Sequence, residues 1–383
     1  MHSGRHHSGM SILFHIATLV PWIVVIFRTI WPLPIAPPVK TPVAIALLLV
    51  SQHHLITKVL TGTMFSPEIP RVAMISVNVA FGAILVLAVI QLVVDCLLLL
   101  ICAIKRRRVR VAGPVRPIAI AIALTVAAFG VSQALRIPDL KEIELPVAGL
   151  PASFDGYRIV QLTDLHLSHL FQADWTRDVV NATNAAGADL IVVTGDLIDG
   201  TIEARREDIQ PLSALASPDG VWVVPGNHEY YFGHRDWMEH FKRLGMRGLE
   251  NEHTLIVKDG ASITLAGVTD LSATEFGQEG PNVKRAIAGA PPENVVVLLD
   301  HQPRYARDAA DLGVDVQLSG HTHGGMIFGF NQLIAKFNNG FVPGRYQVGK
   351  MALYVSNGTA LWIGFALRLG VPSELTVIRL RSV

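Results

Sequence analysis

Hydrophobic and polar positions divide the chain into two parts with different periodicities. Residues 11–135 carry long apolar runs dominated by Leu, Ile, Val and Ala, whereas everything after Arg136 alternates short apolar runs with amphipathic stretches. A helix that spans a membrane needs about 20 consecutive apolar residues. Four stretches are candidates: Ser11–Ile30, closed by Trp31 and Pro32; Pro42–Leu60, interrupted by Gln52, His53 and His54; Val72–Ile104, long enough to tilt; and Pro117–Leu135. The first does not read as a cleaved leader, because its flank is weakly basic, no small-residue cleavage site follows, and further apolar runs do. The pattern therefore predicts a membrane unit of about four helices over residues 1–136, a linker over 137–155 and a folded domain over 156–383.

In that domain, Tyr157–Thr163, Leu190–Thr194 and Val221–Val224 read as strands, separated by helical patterns over Ala173–Ala186, Glu203–Leu215 and Arg235–Leu244. Further strand-like runs stand at Ser262–Ala266, Val295–Leu299, Val314–Leu318, Leu353–Ser356 and Leu375–Ile378. Strands alternating with helices predict an α/β domain. Later strands with little helix between them predict a second sheet, and so a sandwich of two sheets flanked by helices.

Composition sharpens the membrane reading. The chain is 50% hydrophobic and 16% charged, against about a quarter charged in soluble domains. Its 32 basic and 31 acidic residues leave a net charge of +1, which gives no reason to expect a nucleic-acid partner. Cys96 and Cys102 lie in one apolar run, six residues apart on different helix faces, so they read as small buried residues and not as a disulfide. Lys105, Arg106, Arg107, Arg108, Arg110 and Arg116 crowd the link between the third and fourth runs. The positive-inside rule places that link in the cytoplasm and the following domain outside it. Arg28 and Lys40 mark an earlier link on the same side. Asp95, His53 and His54 would be costly against lipid and should make paired contacts inside the bundle. His2, His6 and His7 stand in a short polar tail and read as a disordered terminus.

Candidate chemistry gathers at the strand ends. The first strand ends in Asp164-Leu165-His166, the second in Gly195-Asp196-Leu197-Ile198-Asp199 and the third in Gly226-Asn227-His228-Glu229. A later strand ends at His301 and the next in Gly320-His321-Thr322-His323. Loops after strand carboxyl ends form the ligand crevice of open α/β sheets, so five strand ends deliver carboxylate, imidazole and amide groups to one rim. Oxygen and imidazole donors without thiolate suit Mn, Fe or Zn. Two such ions about 3.5–4 Å apart clamp a phosphoryl group and activate water, and one short carboxylate after a tight turn, Asp196 behind Gly195, suits the bridge between them. His169, His234, His240 and His253 fit no motif and read as surface or packing residues.

These motifs resemble those of the calcineurin-like metallophosphoesterase superfamily over roughly residues 150–383, and the Ser319–Gly325 and Leu353–Ser356 stretches look most like its membrane-associated bacterial branch. The resemblance implies a four-layer α/β/β/α sandwich behind the transmembrane helices. It implies one metal held by Asp164, His166, Asp196 and His323, and another by Asp196, Asn227, His301 and His321. It makes His228 the residue that stabilises the transition state or protonates the leaving oxygen, and Asp199 a supporting residue. Glu229 replaces the commoner Asp of the third motif and orients His228. Asn357 stands where the branch often has Arg. The expected activity is two-metal hydrolysis of a phosphomonoester, phosphodiester or pyrophosphate, with an amphiphilic or lipid-linked substrate suggested by the bilayer anchor. Two alternatives are a UDP-2,3-diacylglucosamine-type pyrophosphate hydrolase of lipid A synthesis, whose expected cytoplasmic side conflicts with the predicted topology, and a membrane sensor or transporter with a non-catalytic domain.

Overall fold

The computed structural model describes the backbone of residues 4–383 and the side chains of residues 14–383. His2 and the side chains of His6 and His7 therefore lie outside the described residues. The chain folds as two units, Met1–Gln133 with Ile363–Leu367, and Ala134–Trp362 with Arg368–Val383.

The first unit holds α1 (Gly4–Val24), which runs into a π-helical turn over Val25–Ile30, then α2 (Pro37–Ser51), α3 (His53–Thr61), α4 (Arg71–Lys105) and α5 (Val115–Ala134). Pro37 and Pro38 open α2, where a missing N–H costs no helical bond. Among the described residues α4 and α5, with mean hydropathies of 3.0 and 1.9, are the two helices long and apolar enough to cross a membrane. The predicted run Pro42–Leu60 folds as the pair α2 and α3, bent by 63°, and its break falls at the polar residues Gln52 and His53.

The polar residues singled out in this unit make paired contacts. Arg28 donates through Nε and Nη2 to both oxygens of Asp95 at 2.8 Å, and Gln91 donates to the same carboxylate at 2.8 Å while accepting from Thr29 at 3.0 Å. His53 and His54 place Nε2 at 3.0 and 2.7 Å from the carbonyl of Gly364. Asn78 brackets the same segment, donating to Ile363 O at 3.0 Å and accepting from Ala366 N at 2.7 Å. These are the paired contacts expected of polar groups away from water. Both cysteines are free, although Cys96 faces outward from α4 and is not buried.

The second unit is built on two six-stranded sheets. Its strands are β1 (Asp139–Val147), β2 (Arg158–Leu162), β3 (Leu190–Thr194), β4 (Val221–Val224), β5 (Arg247–Gly248), β6 (Glu252–Lys258), β7 (Ala261–Gly267), β8 (Val296–Leu299), β9 (Val316–Ser319), β10 (Gly344–Val348), β11 (Met351–Val355) and β12 (Glu374–Ser382). The sheets have the orders β1-β12-β2-β3-β4-β5 and β10-β11-β9-β8-β7-β6. Strands β2 to β5 are parallel, as are β7, β8, β9 and β11, whereas β12 runs antiparallel to β2. Its helices are α6 (Ala173–Ala185), α7 (Ile202–Ile209), α8 (Asn227–Tyr231), α9 (His234–Arg243), α10 (Val283–Ala286), α11 (Ala306–Asp311) and α12 (Asn331–Phe337).

Strand alternation explains the layers. Leu190 and Val192 of β3 join Ile263, Leu265, Val297 and Leu318 in a core between the sheets. Ile191 and Val193 point the other way and are equally buried, as are Val179, Val180, Trp237 and Phe241 on α6 and α9. On the far side, Val296 and Leu298 pack with Ala306 and Ala309 of α11. The result is the expected helix–sheet–sheet–helix sandwich. The segment expected to be a linker differs, because β1 pairs along its whole length with β12 at the edge of the first sheet.

The Arg28–Asp95 pair yields a prediction. Asp95→Leu should lower the melting temperature in detergent more than the Arg28→Leu/Asp95→Leu double variant, because a stranded charge costs more than the pair is worth. Equal losses would mean that the pair carries no coupling.

Candidate metal centre

Each strand end turns sharply before it delivers its functional side chain. Asp164 and His166 follow β2, Asp196 follows β3, and His321 and His323 follow β9; all five adopt left-handed backbone, at φ of 55°, 42°, 56°, 68° and 48°. Such conformations cost a non-glycine residue about 1–3 kcal/mol and persist where the surroundings over-determine them. Backbone bonds between loops do so here. Asp164 N donates to Gly195 O, His166 N to Asp196 O and Gly320 N to His301 O, each at 3.0 Å. Gly195 and Gly226 make the closest approach. A Cβ on Gly195 would lie 2.6 Å from Gly226 N and 2.7 Å from His301 Nδ1, and one on Gly226 would lie 2.3 Å from Asp196 Oδ1. No side chain fits at either position.

The turns bring the predicted ligands together in two groups, Asp164, His166 and His323, and Asp196, His301 and His321, each offering atoms within 4.8 Å of one another; a third such group, His166, Asp196 and His228, overlaps both. His166 Nε2 lies 3.2 Å from His323 Nε2, and His321 Nδ1 lies 3.2 Å from His301 Nε2. At that distance one ring can donate its N–H to the other, or both lone pairs can face a common cation. Asp196 links the groups, with Oδ2 3.2 Å from His301 Nε2 and 3.7 Å from His166 Nε2. Asn227 Oδ1 is buried with no protein partner. An orphaned amide oxygen beside carboxylates and imidazoles, with no thiolate, is a donor set that fits two divalent cations.

The surrounding bonds orient these ligands, as outer partners do in metal sites. His301 Nδ1 donates to Thr194 O at 2.7 Å, which leaves Nε2 as the free electron pair. Asp199 Oδ1 serves two rings, His166 Nδ1 at 3.0 Å and His228 Nδ1 at 2.5 Å. His228 Nε2 is thereby left facing Asp196 Oδ2 at 4.0 Å. Glu229 is fully buried and accepts backbone N–H bonds from Asp196, Gly226 and Leu197 at 2.9, 2.7 and 2.8 Å. Its observed contacts clamp the second and third strand ends together.

The electrostatics follow from burial and crowding. Burial drives Asp199 upward, but His166 and His228 outweigh it and hold the carboxyl at about 2. Burial works against a charged His228 as well, yet Asp196 and Asp199 raise it to about 9. Burial and the neighbouring His301 push His321 down to about 3. Asp164 is shifted up, chiefly by burial and also by Asp196.

Two acids behind His301 escaped the motif reading. Asp270 follows β7 and accepts from Gln302 Nε2 at 2.9 Å, and Asp300, raised to about 8 by burial and Asp270, precedes His301 directly. The strand-end logic applied to β7 would have found the first. His169, His234, His240 and His253 join neither group; His234 stacks on Tyr230 at 4.2 Å, and His253 meets Ala286 O at 2.7 Å.

Comparisons with known proteins agree with this geometry. The family model described as calcineurin-like phosphoesterase matches residues 157–325. The Bacillus subtilis metallophosphoesterase YkuE is 32% identical over 240 residues, covering 61% of this chain and 82% of that protein. A "Transmembrane protein with metallophosphoesterase domain" from Danio rerio is 32% identical over 274 residues, 69% of this chain, and the match spans 62% of the relative's length. Among solved structures, the calcineurin-like phosphoesterase YfkN from Bacillus subtilis aligns with a TM-score of 0.35 at 16% identity, over 53% of this chain and 81% of that one.

Glu229→Gln should cost about 1–3 kcal/mol, since an amide turns one acceptor into a donor against buried N–H groups. Thermal unfolding in the presence of chelator measures this without the metals. An unchanged melting temperature would mean that the three bonds are dispensable.

Proposed function

The chain belongs to the calcineurin-like phosphoesterase family, and from that premise we propose that it is a membrane-held, two-metal hydrolase of an amphiphilic phosphoester. The carrying observation is the convergence of five strand ends on two donor groups, Asp164–His166–His323 and Asp196–His301–His321, that are joined by Asp196 standing beside His166, with Asn227 Oδ1 left unpartnered. In this reading Asp164, His166, Asp196 and His323 hold one ion, and Asp196, Asn227, His301 and His321 hold the other. Mn, Fe or Zn suits the donors. When bound, the pair supplies Lewis-acid polarisation of the phosphoryl group and a lowered pKa for water.

The remaining steps belong to protein groups. Asp199 fixes the ring of His228 through Nδ1, so Nε2 carries the proton toward the leaving oxygen as general acid. The Asp199 carboxylate on Nδ1 favours the protonated ring. Glu229 keeps Asp196 and Gly226 in register. His228, on this account, is spare in the ligand count, which favours turnover over a pure binding role.

The substrate class rests on the apolar helices. A catalytic domain tethered to a bilayer gains most from substrates that share it, such as a phospholipid or a lipid-linked nucleotide. Sidedness rests on charge. The link 105–116 carries six basic residues, and Arg116 Nε donates to Arg28 O at 3.3 Å, so both basic links belong to one end of the bundle. The positive-inside bias makes that end cytoplasmic, the chain multi-pass and the active site extracytoplasmic.

Activity of the purified full chain on a panel of phosphomonoesters, phosphodiesters and pyrophosphates with Mn or Zn tests the reaction. His228→Ala should keep two metals while kcat falls roughly 10²–10⁴-fold; loss of a metal in that variant would make His228 a ligand. Wild-type protein with metal bound and no turnover on the panel would favour a sensor.

Sidedness is tested by a C-terminal reporter active only outside the cytoplasm, paired with protease access in spheroplasts. Replacing all six basic residues of the link with Gln should scramble the orientation, whereas Asp164→Asn should leave it intact. A silent reporter and a protected domain would put the site in the cytoplasm and raise the lipid A precursor reading.

A further inference from the structure

We propose that Arg368 is a positioning residue chiefly for one metal site, setting the cation affinity of the Asp164–His166–His323 group far more than that of the Asp196–His301–His321 group. The inference rests on the two-metal reading above and adds a residue that no motif points to.

Arg368 is 1% exposed. Among the described residues it pairs with no carboxylate, and its Nε has no partner. Its two terminal nitrogens are spent on main-chain carbonyls. Nη1 donates to His323 O at 2.9 Å and to Val371 O at 3.3 Å, and Nη2 donates to Asn357 O at 2.7 Å and to Ala360 O at 3.1 Å. A buried cation without a counter-ion is an expensive way to fill space, and a Leu or Met of similar volume would cost far less. What the guanidinium supplies instead is a rigid fork that fixes the spacing of two backbone segments.

Those two segments lead to two ligands of the same ion. The first is His323 itself, whose carbonyl is held while its φ stands at 48°. The second is residues 357–360, which lean on the turn after β2: Thr359 N donates to Thr163 O at 2.8 Å and Ala360 N to Asp164 O at 3.0 Å. Gly358 lies between the ligands, where a Cβ would come within 3.1 Å of His323 Nδ1 and 3.2 Å of Asp164 Cβ. The fork therefore sets the gap between the backbones of Asp164 and His323. None of its hydrogen bonds reaches Asn227, His301 or His321; His301 is held by Thr194 O and Gly320 N, and the second group meets the fork only indirectly, through the His321 N–H that donates to the Asp164 carboxylate at 3.1 Å.

The test uses the full chain in detergent, stripped with chelator and titrated with Mn²⁺ by calorimetry, with the spectrum of a spin-coupled Mn pair as a second readout. Wild type should take up two ions. Arg368→Lys keeps the charge and loses the fork; Arg368→Met removes both. Each should bind one Mn²⁺ as wild type does and the other roughly 10–100-fold more weakly, the usual effect of removing a support behind a ligand, and the pair spectrum should vanish at limiting metal. Two ions bound at wild-type affinity, or both weakened equally, would overturn the proposal. Failure of both variants to fold would also overturn it, since Arg368 would then be a general structural residue. A wild-type chain that binds one ion or none is a different failure, that of the two-metal reading.

Discussion

The Asp196 peptide and carboxylate tie the turn after β3 to the loops after β2 and β4. Its N–H goes to Glu229, its carbonyl accepts from His166 N, and Oδ1 accepts from His228 N at 2.8 Å. Oδ2 is then left facing the rings of His166 and His301. That arrangement requires the backbone to turn through φ 56° directly after a buried strand, with glycines at 195 and 226 so that two loops can touch. Register along β3 and β4 fixes where the turns fall, with Val193 opposite Val223 and Thr194 opposite Val224. The core between the sheets therefore sets the position of a single carboxylate, and the carboxylate sets the remaining ligands.

This explains why the strand ends that carry the candidate ligands were legible. Residues that must stand at a strand end and carry oxygen or imidazole leave a local signature, and Leu190–Thr194 and Val221–Val224 were recovered residue for residue from their apolar runs. The edges left no such mark. β1 is exposed over most of its length and reads as polar chain, yet it pairs with nine residues of β12, a contact far away in sequence. β5 has two residues and β6 is mostly outside the core, so neither shows an apolar run.

Arg368 was illegible for another reason. Its role lies in carbonyl geometry, and any residue type can supply a carbonyl. Asn357 was noticed because a side chain was expected there, but the contacts at that position run through main-chain oxygens and through the amide of Asn357 to Glu374. Glu229 is an intermediate case. The motif drew attention to it as a partner of His228, and the structure assigns it to the N–H groups of Asp196, Gly226 and Leu197 instead. Three buried donors fill three of the roughly four acceptor sites of its carboxylate.

Five ligand-bearing residues in left-handed backbone carry a joint cost. At about 1–3 kcal/mol each, the sum approaches the whole net stability of an ordinary domain, roughly 5–15 kcal/mol. Hydrogen bonds between the loops offset part of it, but the same loops also crowd four buried carboxylates, Asp164, Asp196, Asp199 and Glu229, into one volume. Histidines can neutralise these only by taking protons; His228 and His301 are raised by the carboxylates, whereas burial and neighbouring charge lower His321 and His323. Divalent cations would relieve this crowding, since they neutralise carboxylates and bind neutral imidazole together, and their binding would then be coupled to the folding of the five turns.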